Sequence, residues 1–245
     1  MALKSFIKFI IFLDYDGTLV PIVEDFRKAG LSAKDRKIIK TLAQNNSFEV
    51  IIVSGRSLAD VRSLVNLSQI GYIGNHGFEV SGHGFKFVHP KVGPFRKLLK
   101  KVLKKIELKL PFYGVEVEDK KLTASLHYRK VAASLQGKVK ALATEVLSPH
   151  VKNKEIVVTY GKKVIELRPP INWNKGHAVL WILKKLKDKK MLPIYIGDDS
   201  TDEDSFHALR EKGLTFYVGK KRKTLAKYRL KNIKAVYRFL RWLNK

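Results

Sequence analysis

The amino-acid sequence predicts an α/β fold in which a doubly wound, Rossmann-like parallel sheet is interrupted by an inserted α+β domain. Short, continuously apolar segments are typical of strands that are buried on both faces. Amphipathic helical segments separate these runs, and this alternation is the pattern of parallel strands joined by crossover helices. The alternation breaks off once and later resumes. We therefore predict a discontinuous core, residues 1–77 and 169–245, and an inserted cap domain, residues 78–168.

The first part of the predicted core alternates strands with helices. Its strands are predicted at residues 6–13, 50–53 and 70–73. A helix follows each of the first two strands, and each helix begins at a serine with an aspartate three residues later. Ser32 with Asp35 and Ser57 with Asp60 have this capping-box spacing. The order of strands and helices is that of one half of a doubly wound sheet.

The inserted segment has a different pattern, because its apolar and polar residues alternate along short strands that pair with their sequence neighbours. We predict hairpins at residues 78–90, 112–128 and 157–167. A strongly amphipathic helix follows the first hairpin, and a second helix, over about residues 131–147, follows the second. The first pattern then returns. The returning core is predicted to contain a helix capped by Asn174, strands at residues 192–196 and 214–218, and a final helix that includes Leu243.

The composition of the 245-residue chain excludes several classes of protein. With 45% hydrophobic residues the chain can bury a core, which excludes intrinsic disorder as its main state. It contains no cysteine, which excludes disulfides, cysteine metal sites and a thiol nucleophile and fits a reducing compartment. No apolar segment reaches the ~20 residues of a membrane span, and no signal-peptide cleavage site follows the apolar start. We therefore predict a cytoplasmic protein with no membrane partner.

The charge of the chain is strongly positive and unevenly distributed. Lys and Arg number 49 against 22 acidic residues, which gives a formal net charge of +27. Such a chain attracts anionic substrates and polyanions, so nucleic-acid binding is one alternative function. Against that alternative, the basic residues are spread over the chain and no known reader motif is present. Five of the 22 acidic residues lie between Asp198 and Asp204, and this concentration predicts a bound cation.

Polar residues follow the predicted parallel strands, at the edge of the sheet where ligands bind in open α/β folds. Asp14 and Asp16 follow the first strand and Ser54 the second, while Asp198 follows a later strand and Lys175 begins a helix. Two acids so close to an apolar strand form either an Asx turn or a cation site. Asp14, Asp198 and the main-chain carbonyl of Asp16 form the all-oxygen shell that suits Mg²⁺. Ser54 is either a turn residue or a donor to a phosphoryl oxygen.

The next acids along the chain have a simpler alternative role. Asp202, Glu203 and Asp204 lie at the predicted beginning of a helix, where carboxylates interact favourably with the helix dipole. We expect Asp202 to contribute to the cation site as well, and Glu203 and Asp204 to serve the helix alone.

Several segments together resemble the haloacid dehalogenase superfamily and, more narrowly, its trehalose-6-phosphate phosphatase family. The two most specific segments are LDYDGTLVPI at residues 13–22 and GDDSTDEDSF at residues 197–206. The others are VSGR (53–56), GNHGFE (74–79), EDKKLTASLHYR (118–129), VIELRP (164–169) and NKG (174–176). The resemblance implies a haloacid dehalogenase core with a cap, Mg²⁺ as cofactor, trehalose 6-phosphate as the phosphorylated disaccharide substrate, and trehalose-6-phosphate synthase as a protein partner.

The resemblance also implies a role for each matching residue. Asp14 is then the nucleophile that forms an aspartyl-phosphate, and Asp16 the general acid and base. Ser54 and Lys175 would hold the transferred phosphoryl group. The implied metal set is Asp14, Asp16, Asp198, Asp199 and Asp202. The implied substrate-binding set is Gly55, Arg56, Asn75, His76, Glu118, Lys120, His127, Arg129, Lys162 and Glu166.

Other functions stay open on the sequence alone. Sucrose phosphate or a glycosyl-phosphoglycerate is an alternative substrate for the same fold, and a phosphomutase is an alternative activity. A catalytically inactive relative is a further alternative, although the complete set Asp14, Asp16, Lys175 and Asp198 argues against it. The charged residues of the segment 118–129 also fit cross-strand ion pairing without any ligand.

Overall fold

The structure is a computed structural model that describes residues 8–111, 113–186, 190–220 and 223–245. The first two residues of the predicted strand 6–13 lie outside the described residues. The strands are β1 (Lys8–Asp14), β2 (Phe48–Val53), β3 (Gly71–Gly74), β4 (Glu79–Gly82), β5 (Phe85–Val88), β6 (Glu116–Asp119), β7 (Ala124–His127), β8 (Val157–Gly161), β9 (Val164–Arg168), β10 (Met191–Gly197), β11 (Leu214–Val218) and β12 (Tyr228–Leu230). The helices are α1 (Ala33–Gln44), α2 (Leu58–Val65), α3 (Val92–Lys109), α4 (Ala133–Lys152), α5 (Lys175–Leu186), α6 (Glu203–Ala208) and α7 (Ile233–Leu243).

Eight strands form one large sheet in the order β12-β11-β10-β1-β2-β3-β4-β5. Neighbouring strands from β12 to β3 are parallel, whereas β4 pairs antiparallel with β3. Alternate residues of β1 pack into different hydrophobic clusters, Ile11 and Leu13 with α1, α2 and α7, and Ile10 and Phe12 with α5 and α6. Because both faces of β1 are covered, its sequence is continuously apolar. The predicted doubly wound parallel sheet is thus confirmed.

The chain forms two compact units whose boundaries differ from the predicted ones. Of the described residues, those up to Phe87 and those from Trp173 onward form the first unit, and those within Val88–Asn172 form the second. The sequence predicts instead that the insertion begins at residue 78. The difference arises because β4 and β5 extend the large sheet, where Val80 lies opposite Ile73 and is buried.

The inserted unit is a four-stranded antiparallel sheet, in the order β6-β7-β9-β8, with two helices. One face of this sheet packs against α3 and α4 through apolar residues such as Leu126, Ile165 and Val102. The sequence predicts the second of these helices over residues 131–147, but α4 continues to Lys152. Pro149 lies in its last turns and does not end it. The period-two alternation of the strands leaves their polar residues on the opposite face.

Among the described residues, the helices are all too short or too polar to cross a bilayer.

Candidate functional site

Asp14 and Lys175 form a buried ion pair at the carboxyl end of β1. Lys175 Nζ lies 2.7 Å from Asp14 Oδ1, and both side chains are less than a tenth exposed. The apolar strand positions Asp14, while Asn174 accepts the main-chain N–H of His177 and so begins α5 at Lys175. Elements 161 residues apart in sequence therefore place a carboxylate and an ammonium group in direct contact.

Asp202 is fully buried behind this pair, and both of its oxygens accept hydrogen bonds. Lys175 Nζ and the Tyr195 hydroxyl donate to Oδ1 at 2.8 and 2.7 Å. The main-chain N–H groups of Asp198 and Asp199 donate to Oδ2 at 3.1 and 3.0 Å. Four protein donors therefore surround this carboxylate. Its hydrogen bonds hold Lys175 and the turn after β10 in place. Its assignment to the metal set stays a prediction.

Burial and charge together shift the pKa values of this cluster. Burial, followed by repulsion from Asp202 and Asp198, raises the pKa of Asp14 well above its usual range, while Lys175 opposes this shift. Although burial disfavours an ammonium group, Asp14 and Asp202 raise the pKa of Lys175 well above its usual value. Burial and the adjacent Asp202 raise the pKa of Tyr195. Lys175 is therefore charged and Tyr195 is a neutral donor at neutral pH.

Asp198 completes a group of three acids suited to a cation. One oxygen from each of Asp14, Asp198 and Asp202 lies within 4.8 Å of the others. Asp198 also accepts a hydrogen bond from Thr18, at 3.3 Å, in the turn that follows β1. In that turn Gly17 has a φ of +94°, and a Cβ there would lie 2.2 Å from Asp198 Oδ2. Three carboxylates facing one ammonium group leave an excess of negative charge, and their oxygens fit a hard divalent cation.

Asp199 has a different place from its two neighbours in the predicted metal set. It is exposed, and its Oδ1 accepts the main-chain N–H of Ser200 at 2.7 Å. This contact caps the 3-10 helix Ser200–Asp202. The cap is a structural role for the Asp199 carboxylate that needs no metal ion, and its assignment to the metal set stays a prediction.

Asp16 is bound on one side by Arg56. Arg56 Nε donates to Asp16 Oδ2 at 2.7 Å and Arg56 Nη2 donates to Asp16 Oδ1 at 2.8 Å, so the salt bridge is bidentate. The remaining Nη1 donates to Asp60 at 2.9 Å in the first turn of α2. Arg56 is 6% exposed, whereas the Asp16 side chain is 35% exposed. The guanidinium group of Arg56 is thus occupied by Asp16 and Asp60, and its assignment as a substrate-binding residue stays a prediction.

The loops after β2 and β3 pack against each other. Ser54 Oγ accepts the main-chain N–H of Arg56 at 3.1 Å, and its carbonyl accepts that of His76. Asn75 and His76 are buried in left-handed conformations, with φ of 48° and 55°. A Cβ at Gly55 would lie 2.4 Å from the His76 ring, so only glycine fits there. These predicted substrate-binding residues thus form one compact group near the end of β2.

The inserted unit carries a second charged group on the polar face of its sheet. Glu118, Ser125 and Glu166 occupy one row across β6, β7 and β9. Lys120 Nζ lies 3.6 Å from Glu166 Oε1 and 4.0 Å from Glu118 Oε2, and its side chain is 5% exposed. Arg168 Nη2 contacts the other oxygen of Glu166 at 2.5 Å. Glu118 and Glu166, two of the six substrate-binding residues predicted in this unit, therefore meet around the buried ammonium group of a third, Lys120.

The other predicted residues of this unit lie at the same sheet. His127 Nε2 lies 2.9 Å from Glu118 Oε2 and so joins the group around Lys120. Arg129 Nη2 donates to the main-chain carbonyl of Lys162 at 2.8 Å. Lys162 itself is exposed in the turn between β8 and β9. The last two residues thus form a separate contact, which involves the main chain of Lys162.

Sequence reasoning missed several residues that hold these groups in place. They are Thr18, Asp60, Glu79, Arg168 and Tyr195. Glu79 accepts from the Asn75 side chain at 2.5 Å and from the Leu58 main chain at 3.0 Å, which joins the loop after β3 to α2. Thr18 lies inside the first motif and could have been found there. Tyr195 lies in an apolar strand, and nothing in the sequence distinguishes its hydroxyl from that of any core tyrosine.

Comparison with known proteins identifies similar chains. The trehalose-phosphatase family matches residues 12–234. Trehalose-phosphate phosphatase B of Arabidopsis thaliana is 38% identical to this chain, and the match covers 94% of this chain and 65% of that relative. The solved structure of the C-terminal domain of C. albicans trehalose-6-phosphate phosphatase is 25% identical with a TM-score of 0.82, covering 98% of this chain and 93% of the other. A trehalose-6-phosphate phosphatase related protein is 28% identical with a TM-score of 0.78, covering 96% of each chain.

Proposed function

This chain belongs to the trehalose-phosphatase family, and from that premise we propose that it is a Mg²⁺-dependent phosphatase that hydrolyses trehalose 6-phosphate through an aspartyl-phosphate. The chain spans 65% of the length of its Arabidopsis relative, so its activity is inferred from its own residues as well. The observation that carries the proposal is the buried contact of Lys175 with Asp14 beside Asp198 and Asp202. A trehalose-6-phosphate synthase would supply this substrate and is the protein partner that we propose.

Asp14 is the nucleophile in this proposal. One of its oxygens contacts Lys175, and the other can attack phosphorus. The bond from phosphorus to the sugar oxygen breaks, and an aspartyl-phosphate forms on Asp14. Lys175 is held by Asp14 and Asp202 within reach of the transferred group, where its charge offsets that of the phosphoryl oxygens. Ser54, which the turn after β2 fixes, would donate to the same group.

Asp16 moves the protons. In the first half-reaction it gives a proton to the departing sugar oxygen, because an alkoxide is a poor leaving group. In the second, water attacks phosphorus, Asp16 takes the proton of that water, and the bond from Asp14 to phosphorus breaks. Inorganic phosphate leaves, and both carboxyl groups return to their first state. The exposed side of Asp16 suits contact with sugar and water.

The cation is proposed from the chemistry of the donors. Asp14, Asp198 and the main-chain carbonyl of Asp16 would hold Mg²⁺, since hard oxygen donors and excess negative charge suit it. Bound there, Mg²⁺ would offset the charge of the phosphate dianion that otherwise repels the Asp14 carboxylate. Asp202 keeps Lys175 and the turn after β10 in position, and its buried carboxylate adds to the charge that attracts the cation.

The inserted unit is proposed to recognise the sugar. Glu118, Glu166 and Lys120 offer charged acceptors and a donor to hydroxyl groups, which a disaccharide has in number. His127 and Arg129 extend the same polar face. Carboxylates that already share one ammonium group can exchange part of that contact for sugar hydroxyls, which makes this face suitable for recognition.

The proposal is tested by measuring phosphate release from trehalose 6-phosphate, glucose 6-phosphate and sucrose 6-phosphate, with Mg²⁺ or with EDTA. We expect the highest kcat/KM on trehalose 6-phosphate, loss of activity in EDTA and recovery with added Mg²⁺. Preference for sucrose 6-phosphate would assign the chain another substrate, and full activity in EDTA would refute the metal.

Two matched variants locate the cation. Asp198→Asn removes an anionic donor from the acidic group and should raise the Mg²⁺ concentration needed for half activity by at least about tenfold. Asp199→Asn changes the adjacent exposed cap residue and should leave this concentration nearly unchanged. Equal effects of both variants would contradict the assignment of Asp198.

A further inference from the structure

We propose that Arg56 is a positioning residue that sets the direction in which Asp16 presents its carboxyl group for proton transfer. This inference rests on the proposed function, because it assigns a support to the acid and base of that reaction. It also replaces the substrate-binding role that the sequence predicts for Arg56. The two residues are 40 positions apart, and their contact joins the turn after β1 to the loop after β2.

The contact fixes both the plane and the direction of the Asp16 carboxylate. Nε and Nη2 of one planar guanidinium group bind the two oxygens separately, at 2.7 and 2.8 Å. A fork of two parallel hydrogen bonds resists rotation of the carboxylate, which a single donor does not. The oxygens therefore keep only their outward lone pairs for a sugar or a water molecule. The line of proton transfer follows from the placement of Arg56.

Arg56 itself has little freedom. Its third donor, Nη1, binds Asp60 at 2.9 Å, and Asp60 is tied to Ser57 at the beginning of α2. The guanidinium carbon lies 5.7 Å from the centre of the Tyr15 ring and 5.9 Å from that of Phe26. The main-chain N–H of Arg56 donates to Ser54 Oγ in the same loop, and its carbonyl accepts the main-chain N–H of Asn75 in the loop after β3. An arginine that is held at every end can hold Asp16 in turn.

Lysine is the informative replacement for this arginine. Arg56→Lys keeps the positive charge but replaces a planar fork with one compact donor group. If Arg56 positions Asp16, the variant keeps Asp14 chemistry and loses the steps that need Asp16. If Arg56 serves only the charge of the site, the variant is close to wild type.

Two substrates separate these steps. The leaving group of p-nitrophenyl phosphate needs no proton, so its first half-reaction depends on Asp14 but not on Asp16. The second half-reaction depends on Asp16 for either substrate. With p-nitrophenyl phosphate we expect Arg56→Lys to give a stoichiometric burst of nitrophenolate at nearly the wild-type rate, followed by turnover that is about 10²-fold slower. With trehalose 6-phosphate both phases should slow.

A double-mutant cycle shows whether Arg56 acts through Asp16. Asp16→Asn should slow turnover more than Arg56→Lys does, and adding Arg56→Lys to Asp16→Asn should then change the rate less than twofold. Multiplied effects would mean that Arg56 acts independently of Asp16, and this result overturns the inference. A burst that slows as much as turnover would also overturn it, because it assigns Arg56 to the phosphoryl group or to folding.

Arg62→Lys is the matched control. The guanidinium carbon of Arg62 lies 5.8 Å from the centre of the Tyr72 ring, and Asp16 and Asp60 are bound by Arg56 instead. It should leave both phases unchanged. If Arg56→Lys does not fold, Asp60→Asn loosens the same guanidinium group from its other side and should give the same burst with a smaller loss of turnover. Wild-type protein that hydrolyses neither ester refutes the proposed function, and this inference with it. If the wild-type protein is active but the effects of Arg56→Lys and Asp16→Asn on the rate multiply in the double mutant, this inference alone is refuted.

Discussion

The two charged groups of this molecule differ in how their carboxylates are held. Around Lys175, Asp14 and Asp202 are almost completely buried and their partners come from β1, α5 and the turn after β10. Around Lys120, Glu118 and Glu166 are each about a sixth exposed, and their ion-pair partners all lie in the same small sheet or in the turn after β6. One group is fixed by distant segments of the chain, and the other is a local feature of one sheet.

This difference fits the roles that we propose for the two groups, reaction for the first and recognition for the second. Placing three carboxylates and an ammonium group in the interior is costly unless the charges are opposed and hydrogen-bonded. Such a cluster keeps one geometry, as phosphoryl transfer requires. Partly exposed carboxylates at longer distances from their ammonium partner can change contacts when hydroxyl groups arrive. Substitutions in the first group should therefore slow the hydrolysis of all phosphate esters. Substitutions in the second should slow only that of sugar phosphates.

The largest effect is expected at Asp14. An amide cannot form an aspartyl-phosphate, so Asp14→Asn should lower kcat on every ester by about 10⁴-fold or more. Because burial and Asp202 raise the pKa of Asp14, its ionised form is unfavourable in the folded protein, and the variant should keep or raise the melting temperature. Phosphate-release assays measure kcat, and thermal unfolding in EDTA measures the melting temperature. Residual turnover within tenfold of wild type would exclude Asp14 as the nucleophile.

The inserted unit should give a smaller and selective effect. Glu166→Gln removes a charged acceptor beside Lys120, and we expect kcat/KM on trehalose 6-phosphate to fall by about 10- to 100-fold. Hydrolysis of p-nitrophenyl phosphate should change less than threefold, because its leaving group offers no hydroxyl groups. Glu116→Gln is the control on β6, since Glu116 pairs with Lys130. Equal losses on both esters would assign Glu166 to folding and remove the distinction between the two groups.

The sequence predicts that Asp14, Lys175 and Asp198 lie near one another, but it does not predict the contacts that hold them in place. Asp14, Ser54 and Asp198 were identifiable because polar residues that follow apolar parallel strands meet at one edge of a sheet. The contact of Arg56 with Asp16 was not, since no local pattern pairs residues 40 positions apart. A rule that ties function to strand ends finds the groups that we propose to react, but it cannot find the side chains that contact them.

The fold shows the same limit at the edges of the sheet. The alternation of residues 78–90 predicts a hairpin, which the structure contains as β4 and β5, but alternation does not show which sheet a hairpin joins. Pairing of β4 with β3 decides that, and this pairing depends on the packing of Val80 in the core. Strand β12 has three residues, Tyr228–Leu230, and is too short to form a recognisable pattern.

Stability measurements sharpen the comparison within the inserted unit itself. Lys120→Met leaves Glu118 and Glu166 without their shared ammonium group, and it should lower the free energy of unfolding by about 1–3 kcal/mol. Lys109→Met breaks an ion pair with Glu145 in which both side chains are at least half exposed, and it should cost less than about 0.5 kcal/mol. Urea unfolding measures both. Similar values for the two variants would show that the polar face is solvated like any surface.

The smallest effect is expected at a paired carboxylate that belongs to neither group. His83, in the turn between β4 and β5, has its Nδ1 2.6 Å from Glu49 Oε2 on β2 and its Nε2 3.2 Å from the carbonyl of Val50. The hydrogen bond that His83 donates to Glu49 raises the pKa of His83, against the effect of burial. The same hydrogen bond lowers the pKa of Glu49 against burial, and the charge of Lys8 adds to this shift.

The stabilisation by this pair should therefore depend on pH in a defined direction. A raised histidine pKa stabilises the fold below the ordinary value of about 6.5, and this stabilisation is lost as the pH rises through the folded pKa of His83. A lowered glutamate pKa stabilises it above about 4.3, and this is lost as the pH falls through the folded pKa of Glu49. Between these limits Glu49→Gln should lower the free energy of unfolding by less than about 1 kcal/mol, and by less still at pH 9. Urea unfolding of wild type and variant at pH 5.5 and pH 9 measures the difference, while kcat at neutral pH should not change. A loss of stability equal at both pH values would show that the pair contributes packing and not charge.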